Sequence, residues 1–125
     1  MAKVLGIGGV FLKAADPQAV QDWYARVLGF EVSEWGGATW PHPAIGQSTW
    51  SVHPATTDYY EPSTAPFMVN FIVDDLAGVL ARAKSEGAEP VGSPVDDVYG
   101  RFGWLMDPAG VKIELWEPPT GPPKA

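Results

Sequence analysis

The chain has 125 residues, 46% of them hydrophobic and none of them cysteine, and carries a net charge of −7. That length suits one compact domain, since halves of about 60 residues are marginal alone, and the lack of cysteine excludes disulfides, thiolate metal sites and a cysteine nucleophile. Fifteen acidic against eight basic residues, with no basic cluster, exclude nucleic acid as an expected partner, and no apolar run approaches the ~18 residues that span a bilayer.

The opening MAKVLGIGGV carries no signal-peptide pattern, so a cytoplasmic protein is expected. Leu5 to Ala15 alternate as a half-buried strand. Asp16 and Pro17 are a helix N-cap and first helical residue. Val20, Trp23, Tyr24, Val27 and Leu28 then form one apolar stripe, and Gly29 suits a left-handed C-cap. Phe30 to Trp35 reads as a strand, Gly36-Gly37 as a turn, and Gly46 to Val52 as a further strand, with Ala38-Thr39-Trp40 a short one before it. His53 to Pro66, polar and bounded by prolines, reads as a linker.

The plan then repeats. Phe67 to Val73 is a predicted strand, Asp74 or Asp75 a cap, and Leu76, Val79, Leu80 and Ala83 a helical stripe closed by Gly87. Glu89 to Val91 reads as a strand. Arg101 to Met106 and Val111 to Trp116 flank Asp107-Pro108-Ala109-Gly110, whose Asp, Pro and Gly suit the turn of a hairpin. The last eight residues, Pro118 to Ala125, contain four prolines and read as extended or disordered. Gly9 and Met68 stand 59 residues apart, as do Asp16 and Asp75. The expected fold is therefore α+β. Two tandem βαβββ modules, about 4–53 and about 67–118, are joined by a linker at about 54–66 and followed by a Pro-rich tail at 119–125. Together they form a single domain, a curved mixed sheet around a cavity.

These two copies, and above all YGRFGWLMDPAGVKIELWEP at Tyr99 to Pro118, resemble the vicinal oxygen chelate superfamily. That superfamily includes glyoxalase I, extradiol dioxygenases, and fosfomycin and bleomycin resistance proteins. The resemblance covers nearly all of Val4 to Pro118. It implies a divalent metal held at four strand positions, which here match Gly9, Trp50, Met68 and Glu114. Glycine offers no ligand, a thioether is a poor one for hard divalent ions, and indole nitrogen only donates. One carboxylate is too few for a catalytic ion. No metal or other cofactor is therefore expected. His42 and His53 are candidate rescue ligands, with surface or loop roles the more ordinary reading.

Strand parity places Phe11 and Lys13, Asn70 and Ile72, Lys112 and Trp116, and Ser48 and Val52 on the same face as the four matched positions. The hairpin register is open. A four-residue loop sets Gly103 beside Glu114 and a five-residue loop sets Trp104 there, and the family's hairpin favours Trp104, with Phe102 and Met106 on that face. The expected wall is Phe11, Trp50, Met68, Asn70, Phe102, Trp104 and Trp116 around Glu114, with Tyr99 and Arg101 as gating or anion-orienting residues at its rim. Six tryptophans in the chain suit such a pocket. Glu114 has three readings: a structural hydrogen-bonding group, an anchor for a cationic ligand, or a general acid or base. The resemblance implies a metal-independent small-molecule binder similar in plan to bleomycin resistance proteins, with an aromatic or cationic ligand and a homodimeric state. The alternative is a glyoxalase-type lyase or isomerase using Glu114 as base, with or without a divalent metal. A third possibility is a structural module with a filled cavity.

Overall fold

A computed structural model describes residues 2, 3, 5, 7–88 and 90–119. Its elements in chain order are α1 (Pro17–Leu28), β1 (Val69–Ile72), α2 (Leu76–Ser85), β2 (Val95–Asp97), β3 (Gly100–Met106) and β4 (Lys112–Glu117). The strands form one open mixed sheet in the order β1-β4-β3-β2. β1 runs parallel to β4, and β4-β3-β2 are antiparallel. The second half thus builds the expected strand-helix-three-strand unit.

Both helices start and stop where the sequence signals them. Asp16 accepts from the Ala19 amide at 3.1 Å, and Pro17 sits in the first turn, where its missing N–H would have had no helical partner. Gly29 closes α1 in the left-handed conformation (φ 72°) and donates to the Ala25 carbonyl, while Phe30 donates to Tyr24. Asp75, not Asp74, caps α2 by accepting from Gly78 at 3.1 Å.

Helix α2 covers one face of the sheet. Val69, Leu105, Ile113 and Leu115 point toward it and bury with Leu76, Ala83, Ala88, Val111 and Val27 of α1. Gly103 lets α2 lie close, because a Cβ there would stand 3.2 Å from Leu80 Cδ1 and 3.4 Å from Leu76 Cδ1. Phe71 packs T-shaped against Tyr24 and Phe30, which are tilted on one another, and the three rings tie α1 to the β1 side.

Tyr24 also reaches the hairpin. Its hydroxyl donates to Asp107 Oδ2 at 2.5 Å in a buried setting, while Asp107 Oδ1 accepts from the amides of Ala109 and Val111, both at 2.9 Å. The loop therefore runs from Asp107 to Val111, five residues, and sets Trp104 opposite Glu114.

The first half departs from expectation. No strand forms among the described residues before Val69. The described residues of the segments at 5–15 and 46–52 form no strand ladder, and Leu5 89%, Phe11 89%, Trp50 81% and Val52 75% are exposed. Alternation favours a strand only where a neighbour takes its N–H and C=O groups. Only the Ser33–Gly37 turn survives of the expected first hairpin, with Ser33 donating to Gly37 at 2.8 Å. Among the described residues one strand-helix-three-strand unit with an open four-stranded sheet is seen, and the expected second module and enclosed cavity are not. β2 has no counterpart among the predicted strands. Of Glu89 to Val91, Pro90 forms an isolated bridge with Leu105, while Glu89 lies outside the described residues, as does the tail beyond Pro119.

Removing the Tyr24 hydroxyl would leave Asp107 Oδ2 buried without its donor, so Tyr24→Phe is expected to lower stability by about 1–3 kcal/mol in urea unfolding. Burial first, then the hydrogen bond to Asp107 and its charge, pushes the Tyr24 hydroxyl well above the ordinary tyrosine range. A raised folded-state value means stability that is whole below the unfolded value, about 10, and lost as pH rises beyond it. The Tyr24→Phe protein should therefore lose less stability than wild type as pH rises from about 10 to about 12; equal slopes would contradict this. Gly103→Val should destabilise by about 1–3 kcal/mol through overpacking against Leu76 and Leu80, read in the same unfolding assay.

Candidate functional site

The sheet face turned away from the helices carries the chemistry. Asn70 pairs with Glu114 across the parallel ladder, and Trp104 pairs with it across the antiparallel one. Residues opposite one another share a face, so three adjacent strands bring these side chains together. Asn70 Nδ2 donates to Glu114 Oε1 at 2.7 Å. Trp104 Nε1 donates to Oε2 at 2.8 Å. A third donor to Oε2 is the hydroxyl of Tyr59, from the segment between the halves.

Glu114 is 8% exposed, yet no Lys or Arg nitrogen lies within 4.0 Å of it among the described residues. Its charge is met by neutral donors alone. Lys112, also buried, turns its Nζ to the Tyr59 carbonyl at 2.7 Å, over the rings of Tyr59 (5.3 Å) and Trp104 (5.8 Å). Burial, then the hydrogen bond to Glu114 and its charge, holds the Tyr59 hydroxyl above the ordinary tyrosine range. Tyr59 is therefore the donor and Glu114 the acceptor.

Further along the same face, Phe102 and Trp116 stack at 6.3 Å with planes 10° apart. Trp116 Nε1 donates to the Tyr99 carbonyl at 2.8 Å, which fixes the indole at the end of β3. The face thus runs from a hydrogen-bonded carboxylate to a pair of parallel rings, with Met106 and Ile72 on the same side by register.

The residues expected at the site divide accordingly. Glu114, Asn70, Trp104, Phe102 and Trp116 come together, and Met68 precedes β1 half-buried, two residues before Asn70. Phe11 and Trp50 do not join them; both are exposed on the unpaired first half, since no ladder holds their segments to the sheet. Arg101 points to the other face, one residue out of phase with Phe102, and meets Asp96 at 3.5 Å and Glu117 at 3.9 Å near the surface. It is thus not a rim residue of the Glu114 face. Tyr99 reaches the site through its carbonyl, its side chain being 71% exposed.

Tyr59 was not among the expected residues. The DYYEP stretch shows no periodicity, and only its paired tyrosines in a polar segment were a signal. Consecutive turns fold this segment, with Thr57 donating to Pro54, Glu61 to Asp58 and Ser63 to Tyr60. Ser63 Oγ donates to the Gly110 carbonyl at 2.5 Å and ties it to the hairpin. His53 stacks on Tyr59 at 5.9 Å and hydrogen-bonds Tyr60 at 2.8 Å.

The donor set does not suit a divalent ion. Of the four positions that match the family's ligands, only Glu114 carries a metal-binding group, and its oxygens face N–H and O–H donors. No group of three His, Cys, Asp or Glu that could hold a metal ion occurs among the described residues. A separate depression lined by Gly29, Glu31, Val32, Ser33, Ala38, Thr39 and Trp40 shares no residue with the Glu114 group. No helix among the described residues is long and apolar enough to cross a membrane.

Comparison with known proteins bears on the fold. The chain is similar to TnmS3, an antibiotic binding protein from Streptomyces sp. CB03234, with 22% identity, a TM-score of 0.53 and coverage of 85% of this chain and 89% of that one. It is similar to TioX from Micromonospora sp. ML1, with 23% identity, a TM-score of 0.54 and coverage of 90% and 95%. A glyoxalase/bleomycin resistance protein from Streptomyces sp. CB03234 matches with 21% identity, a TM-score of 0.52 and coverage of 83% and 93%. At such identities the likeness is one of fold. No curated protein matches the chain. A family model described as a glyoxalase-like domain matches residues 9–116, from the first expected strand through β4, and the chain therefore belongs to the glyoxalase-like domain family.

Proposed function

We propose that the protein binds a small aromatic or cationic molecule on the open sheet face, anchored by Glu114 and without a metal ion. The observation that carries this reading is the nearly buried carboxylate with three neutral donors and no cation within 4.0 Å. A buried charge is stable in such a setting when hydrogen-bonded, and it still attracts a positive group brought into the same low-dielectric surroundings. Beside it, the parallel rings of Phe102 and Trp116 offer a surface for stacking and cation–π contact. TnmS3 is named an antibiotic binding protein, which supports small-molecule binding as the kind of task this fold performs. Gly9, Trp50 and Met68 in place of ligands support metal independence.

The geometry favours binding over proton transfer. A general base needs an open lone pair directed at a substrate proton, whereas three of the about four acceptor positions of Glu114 are already taken. Tyr59, which donates to that carboxylate, has its hydroxyl held above the ordinary tyrosine range. The exposed Leu5, Phe11, Trp50 and Val52 support a homodimer that covers them.

Elemental analysis of the purified protein should find no stoichiometric divalent metal; one equivalent of Ni, Zn, Fe or Mn per chain would overturn the metal-free reading. In calorimetric titration, Glu114→Gln should weaken binding of proflavine, a planar aromatic cation, by about tenfold or more, and leave binding of neutral 2-naphthol largely intact. Equal affinity of wild type and variant for proflavine would remove Glu114 as the anchor. Sedimentation equilibrium should return twice the chain mass; a monomer across the micromolar range would refute the dimer.

A further inference from the structure

We propose that Tyr59 is the specificity-determining residue of the Glu114 site: its hydroxyl occupies the position on Oε2 that a ligand's own hydrogen-bond donor must take. The proposal rests on the binding reading above and goes further, naming the ligand class as planar cations that carry an N–H or O–H donor.

The three donors on Glu114 are not equivalent. Asn70 and Trp104 project from β1 and β3, and their positions are set by the ladders on either side of β4. Tyr59 comes from a segment built of turns and is 39% exposed. It stands on the solvent side of a carboxylate that is itself nearly buried. Of the two donors on Oε2, Tyr59 is the exposed one, whereas Trp104 is half-buried.

The anchoring of that segment allows the side chain to leave without its backbone. The Tyr59 carbonyl is held by Lys112 Nζ at 2.7 Å, and Ser63 Oγ holds the Gly110 carbonyl at 2.5 Å. These contacts do not involve the phenol. Rotation of one side chain, which gives up its ring contacts with His53, Trp104 and the Lys112 ammonium, frees Oε2, and Trp104 Nε1 continues to donate to that oxygen while Asn70 holds Oε1.

Selectivity follows from the hydrogen-bond inventory. Displacing Tyr59 costs a charge-assisted hydrogen bond to a partly buried carboxylate. A ligand with a donor restores it. A ligand of the same shape and charge with no donor leaves Oε2 short of a partner, or must stack without reaching Glu114. Sites whose polar groups go unpaired reject such analogues strongly. Internal competition by Tyr59 thus discriminates by donor, beyond the attraction that Glu114 exerts on any cation.

The test compares two probes of one ring system and one charge by calorimetry. Proflavine carries amino N–H donors, and N-methylacridinium carries none. Tyr59→Phe keeps the ring packed against Trp104 and His53 and removes only the competing hydroxyl. The variant is expected to bind proflavine about tenfold more tightly than wild type, with N-methylacridinium changed by less than about twofold on the same reasoning. Wild-type binding of proflavine should itself exceed that of N-methylacridinium. If Tyr59→Phe leaves proflavine unchanged, or weakens both probes alike, Tyr59 is a wall residue and the proposal is overturned. In that case the binding reading stands as long as Glu114→Gln still weakens proflavine. If neither probe binds wild type or Tyr59→Phe, the binding reading falls and this inference falls with it.

Discussion

The position of one side chain along β4 depends on a turn. Asp107 accepts two amide hydrogen bonds from within its own loop and a third from Tyr24 of α1, and so fixes a five-residue connection between β3 and β4. Because side chains alternate across a strand, a loop one residue shorter would turn a strand over. Trp104 would then face the helices and Gly103 would stand beside Glu114. The close packing of α2 over Gly103 and the indole on Glu114 are two consequences of the same register. A contact to α1, on the other side of the molecule, thereby sets the geometry of the open face.

That face combines two features that are costly to separate. Glu114 is nearly removed from water, a situation that destabilises a carboxylate unless donors surround it. Two donors come from neighbouring strands and one from a segment far away in sequence, 55 residues from Glu114. Aromatic rings occupy much of the remaining surface, lowering the local dielectric and strengthening whatever charge interaction occurs there. Lys112 lies two residues from Glu114 and on the same face, yet its ammonium turns to a carbonyl and two rings. The carboxylate is therefore hydrogen-bonded but not ion-paired, the state in which a binding site can both persist empty and attract a positive ligand.

Much of the second half was legible in order of residues. The caps at Asp16 and at Asp74 or Asp75, both helical stripes, the hairpin and the face shared by Asn70, Glu114 and Trp116 follow from period and turn chemistry, while Phe102 and Trp104 were set on that face by the family resemblance. These are local rules, and nothing distant competes with them there. The first half obeyed the same patterns on paper but not in space. Phe11 and Trp50 were expected at the wall because parity assigns a face, yet a face exists only once a strand has neighbours. Arg101, one residue out of phase with Phe102, takes the ion pairs with Asp96 and Glu117 on the opposite face.

What the sequence by itself determined is the helix boundaries, the βαβββ order of the second half and the identity of the residues that can face Glu114, because backbone periodicity and capping act over a few residues. Only the tertiary structure decided that the hairpin loop has five residues, that the 5–15 and 46–52 segments stay unpaired, and that Tyr59 closes over the carboxylate. Each of these depends on a partner distant in the chain: Tyr24 for Asp107, an adjacent strand for the first half, Glu114 for Tyr59. No local pattern announces such a partner, since its contribution is a hydrogen bond that exists only after the chain has brought both ends together.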